Sequence, residues 1–98
     1  FIRAQFEVEP FSVVPYRQDE WVKLNAYNEM KAERIAALWS TLNLQIINVI
    51  SRIPADKLAV KCDLGETALG EGETVKNLLW LIEDYLVHME YHLNQIFN

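Results

Sequence analysis

Apolar residues recur at alternating four- and three-residue intervals along two stretches of this chain, and that repeat constrains the fold more than any other feature. Val75, Leu79, Ile82, Leu86, Met89 and Leu93 form one seam; Ile35, Trp39, Leu42, Ile46, Val49 and Ile53 form another, with Leu38 beside it. At ~100° per residue this spacing draws a single stripe down a helix. The 98 residues hold three glycines and three prolines, so little interrupts helix in either stretch. The fold class expected is all-α.

The seam from Ile35 to Ile53 lies in a helix expected from Asp19 to Ile53, where Pro54 stops it. That is ~35 residues, or ~50 Å. Trp21 and Leu24 continue its stripe toward the N-terminus, and Asn28 and Lys31 interrupt it. Two readings of the interruption stand side by side: the end overhangs the bundle in water, or Tyr27, Asn28 and Lys31 line the mouth of a pocket. The final helix is expected over residues 75–97, with Thr74 as its N-cap. Between the helices, Leu58, Val60, Cys62 and Leu64 alternate with Ala59, Lys61 and Asp63. This period of two marks an extended, half-buried segment. A lone strand has no partner, so residues 54–73 are expected to form an extended strap, turned by Gly65, Gly70 and Gly72. Residues 7–17 read as a loop, since Pro10 and Pro15 break helix. FIRAQF, residues 1–6, reads as the last turn of a helix. The chain opens on Phe1 and not Met, and it is expected to be the C-terminal part of a longer domain.

Joined by a ~20-residue connection, the two long helices can pack antiparallel. Two helices cannot cover both apolar faces. Further helices are expected from additional chain or from a second copy, which makes a homodimer the expected state. The net charge is −5, which argues against nucleic acid and against anionic membrane surfaces. No run approaches the ~20 apolar residues of a membrane span. The single Cys62 permits no internal disulfide, fits a cytoplasmic setting and, with only Lys61 basic beside it, reads as inert.

The chain's two histidines, His88 and His92, are four residues apart on the final helix. Their imidazoles fall one turn apart on the same side, a spacing with which a helix offers two nitrogens to one metal ion. Asp84, one turn before His88, is a candidate ligand or orienting carboxylate. Tyr85, Tyr91 and Gln95 are candidate pocket walls, as are Asn28 and Lys31 from the first helix. Polar positions fill only a narrow sector of this helix, so the histidines are expected to face other helices or a cavity. The competing reading makes both histidines neutral core residues hydrogen-bonded to neighbours. H-x-x-x-H also lacks the inner glutamate of the H-E-x-x-H protease motif.

The run TVKNLLWLIEDYLVHMEYHLNQIF resembles the final helix of the DinB-like superfamily of metal-dependent enzymes, with a T-x-x-W-L-like start, then H-x-x-x-H, then Gln95–Ile96. PYRQDEWVKLNAYNEM and ALWSTLNLQIINVISRIPADKL resemble the loop and third helix of the same proteins, and FIRAQF the end of their second. The resemblance implies that the chain is the C-terminal part of a DinB-like four-helix bundle. It implies a divalent transition metal (zinc, nickel, iron or manganese) held by three histidines. Two of these match His88 and His92; the third belongs to the second helix, upstream of Phe1. It further implies a hydrolase or thiol transferase acting on a small molecule, in which the metal activates water or a thiolate. The alternative is a non-catalytic helical or dimerisation module with an incomplete metal site.

Overall fold

The computed structural model describes residues 1–65 and 74–97. It is mostly helical, with a small sheet. Three α-helices occur among the described residues: α1 (Gln18–Asn25), α2 (Ala32–Ser51) and α3 (Leu78–Phe97). Three short strands, β1 (Phe11–Ser12), β2 (Lys61–Asp63) and β3 (Val75–Asn77), form one sheet in the order β1-β2-β3. The chain divides into two compact units, one of Phe1–Val13 with Ile53–Asn98 and one of Val14–Arg52.

The first unit holds the sheet and α3. The period-two pattern around Cys62 is a strand, as its alternation requires, but it is no lone strap. β2 is central, antiparallel to β3 with Cys62 opposite Lys76, and parallel to β1 with Phe11 opposite Cys62. The ladder extends through Val13 N–H to Asp63 O, Leu64 N–H to Thr74 O and Leu78 N–H to Val60 O, each 2.9 Å. The inward residues of that alternation, Val60 and Cys62, are buried with Ala4, Leu78 and Ile82. Gly65 turns the chain after β2 at φ +79°, a conformation that costs a glycine little; its N–H reaches Asp63 Oδ1 at 3.0 Å. Gly70 and Gly72 lie outside the described residues.

Helix α3 begins three residues later than the apolar repeat suggests. Val75 keeps the seam's register but is spent in β3, and the cap is Asn77, not Thr74. Asn77 Oδ1 accepts the Trp80 N–H at 2.8 Å, satisfying a donor that the helix itself leaves without a partner. The Thr74 carbonyl is already committed to the sheet. Asn77→Ala is expected to cost about 1 kcal/mol, read as a thermal midpoint lowered by roughly 4–8 °C. FIRAQF is a single 3-10 turn over Arg3–Gln5, followed by an exposed ion pair between Arg3 and Glu7.

Cys62 is fully buried, and burial pushes its thiol pKa up. The folded state therefore favours the neutral thiol. This contribution to stability is complete below the unfolded thiol's pKa and is lost as pH rises through the folded one. Alkylation of Cys62 by iodoacetamide is expected to be slow in the native protein and at least tenfold faster in denaturant.

In the second unit, the helix expected over residues 19–53 is broken. It runs as α1, a 3-10 turn at Tyr27–Glu29, and α2. The break falls at Ala26, which takes the left-handed conformation at φ 55° and ψ 36°. That conformation costs an L-residue ~1–2 kcal/mol. Asn25 Nδ2–H caps back onto the Trp21 carbonyl at 2.8 Å. The interruption of the seam by Asn28 and Lys31 is the trace of this break. Helix α2 ends at Ser51, just ahead of Pro54, as expected. It buries no residue fully, and Trp39, Leu42, Leu44 and Ile47 are exposed. No helix among the described residues is long and apolar enough to cross a membrane.

Candidate metal centre

Helix α3 is fixed at its start by the Asn77 cap and by Leu78 and Ile82 in the core. Full burial ends at Ile82; beyond it Met89 and Leu93 are half-buried and His88 and His92 are exposed. Among the described residues the histidines are thus exposed, contrary to the expectation that they face other helices or a cavity. Beyond Ile82 the helix keeps only partial cover, at Tyr85, Met89 and Leu93.

The four-residue spacing brings the two imidazoles together as expected. His88 Nε2 and His92 Nε2 are 3.0 Å apart, with ring centroids at 4.5 Å and the rings nearly perpendicular. His92 Nδ1 lies 2.8 Å from Gln95 Oε1. An amide oxygen only accepts, so Nδ1 carries the proton and donates. A neutral His92 then presents a lone pair at Nε2, and His88 Nε2–H donates to it. Gln95 Nε2–H donates onward to Tyr91 Oη at 3.3 Å, and the Tyr91 ring stands against the His92 ring at 5.4 Å. The outcome is a directed chain, His88 to His92 to Gln95 to Tyr91. The sequence placed Gln95 and Tyr91 as pocket walls. Their bonding to the histidine pair was readable only as a further three-residue step, His92 to Gln95.

The donor set fits part of a metal's coordination shell. Two Nε2 atoms 3.0 Å apart can both reach one ion at the ~2.0–2.1 Å typical of zinc–imidazole bonds. Doing so asks that His88 carry its proton on Nδ1 and that the rings turn until both lone pairs meet at the ion. His92 is already in the ligating tautomer.

Asp84 is exposed, and among the described residues no group of three or more His, Cys, Asp or Glu side chains is assembled that could hold an ion. Asp84 stands one turn before His88, ~40° around the helix and ~6 Å along it, but ~80° and ~12 Å from His92, so it neighbours the first imidazole and not the second. Tyr85 is half-buried and meets the Phe1 ring edge-on at 5.9 Å, a packing contact that ties α3 to the chain's first residue. Asn28 and Lys31 belong to the second unit. Asn28 is exposed in the 3-10 turn, whereas Lys31 lines an open hollow of about 490 Å³ with Asn25, Ala26, Glu29, Met30 and Arg34.

Comparison with protein-family models, with curated proteins and with solved structures returned no match.

Proposed function

We propose that this chain supplies two ligands, His88 and His92, to the metal ion of a DinB-like enzyme that acts as a hydrolase or thiol transferase on a small molecule. The observation that carries the reading is the 3.0 Å approach of the two Nε2 atoms, with Gln95 holding the proton of His92 on the far nitrogen. Two imidazoles are half of a three- or four-ligand site. The reading therefore requires at least one further ligand from outside residues 1–98 or from a second copy. Zinc, nickel, iron and manganese all accept imidazole, and the ion's contribution is Lewis acidity toward water or a thiol. This chain's own part is to hold two donors in one orientation on a capped, core-anchored helix. In the same reading, the apolar residues left exposed on α2 and on the last turns of α3 are the inner faces of a four-helix bundle.

Those exposed residues also favour a second reading, a helical dimerisation module in which the histidines are interface residues. Elemental analysis of protein purified without a histidine tag, combined with mass by light scattering, separates the two. Near-stoichiometric transition metal supports the enzyme. A full-length protein that is a metal-free dimer and takes up no added zinc overturns it in favour of the module.

A further inference from the structure

We infer that Gln95 is the positioning residue of His92: its side-chain amide selects the tautomer and ring orientation in which the His92 Nε2 lone pair faces His88. This inference deepens the metal-site reading and rests on it for its functional meaning, although its structural content does not depend on any bound ion.

Gln95 lies one turn beyond His92 on the same helix, and its two amide atoms have different partners. Oε1 meets His92 Nδ1 at 2.8 Å, and Nε2 meets Tyr91 Oη at 3.3 Å. The first contact is possible only with Nδ1 protonated, because an amide oxygen has no proton to give. The second holds the other end of the amide: the Tyr91 hydroxyl accepts from Nε2 while Oε1 meets the imidazole. A solvent-exposed histidine without such a partner is free to rotate about χ2 and to exchange its proton between the two nitrogens. Each alternative removes a lone pair from the side facing His88. A ligand imidazole fixed through its other nitrogen is both oriented and made a better donor, and loss of such a partner typically costs ~10–100-fold in metal affinity. Among the described residues the other nitrogen of His88 meets no such partner; its Nε2–H is the donor to His92. The two histidines are thus unequal, with His92 the preset ligand and His88 the one that must change tautomer.

The test uses the full-length protein, first free of metal and then titrated with zinc. Nitrogen-15 long-range correlation spectra of the imidazoles report the tautomer of each histidine directly. The wild type is expected to show His92 as the Nδ1–H tautomer and His88 as the Nε2–H tautomer. Gln95→Leu is expected to move His92 to a mixture of tautomers and to weaken zinc binding by about 10–100-fold. Gln95→Glu, which keeps an acceptor oxygen at the same reach, is expected to restore both. A His92 tautomer unchanged in Gln95→Leu overturns the inference, even if zinc binds. A tautomer that depends on Gln95 in a wild type that takes up no zinc supports the positioning role and overturns the metal-site reading instead.

Discussion

The double variant His88→Ala/His92→Ala is expected to lose transition-metal binding altogether while keeping its fold. Both imidazoles are exposed, and their mutual hydrogen bond lies at the helix surface. Removing the pair therefore leaves no buried polar group without a partner. Alanine is also the strongest helix former, favoured over histidine by a few tenths of a kcal/mol. The variant's thermal midpoint is expected within a few degrees of the wild type's, consistent with a surface change of about ±0.5 kcal/mol. Metal content by elemental analysis, read beside far-ultraviolet circular dichroism, checks both halves. Metal retained at wild-type stoichiometry in the double variant would show that the ion sits elsewhere. Each single variant is expected to bind weakly and not at all tightly, because one imidazole offers one bond and forfeits the chelate.

Leu78→Ala is expected to be the most damaging single substitution away from the histidines. Leu78 is 0% exposed and sits where β3 becomes α3, its N–H bonded to the Val60 carbonyl. A buried leucine truncated to alanine costs about 2–5 kcal/mol, through lost transfer energy and the cavity left behind. Small domains have about 5–15 kcal/mol in all, and among the described residues the first unit's buried apolar set is five residues. Urea unfolding followed by circular dichroism should show the midpoint falling with the slope unchanged. A loss below about 1 kcal/mol would mean that this junction is not the centre of the core. Because Leu78 anchors the first turn of the histidine helix, the same variant is expected to weaken metal binding without touching a ligand.

The sequence carried some of these elements in local patterns and hid others in long-range pairing. The stop at Pro54 follows from one residue's chemistry, and the buried alternation of Val60 and Cys62 from side-chain period. The His88–His92 pair follows from helical spacing. The sheet does not, because β1 is two residues long and β3 begins on Val75, which keeps the helical register of the seam. What makes Val75–Asn77 a strand is hydrogen bonding to Lys61–Asp63, and no window around residue 75 contains that information. The break at Ala26 was masked by alanine's high helix propensity. Only the polar interruption at Asn28 and Lys31 hinted at it. Asp84 shares the helix with the histidines at one further i,i+4 step, which brings it one turn from His88 and two from His92.

The parallel pairing of β1 with β2 has a consequence for how the protein is made. Lys61 and Asn77 are close enough in sequence to find each other soon after both exist. Phe11 and Cys62 are about fifty residues apart, and closing that longer loop costs roughly 1 kcal/mol more in chain entropy. The strand that leaves the ribosome first is therefore the last to be seated, and it brings only two residues to the sheet. Until Lys61–Asp63 has been synthesised, Phe11 and Ser12 have no strand to join. A nascent chain of this protein carries that segment unpaired through about fifty residues of further synthesis before its partner exists.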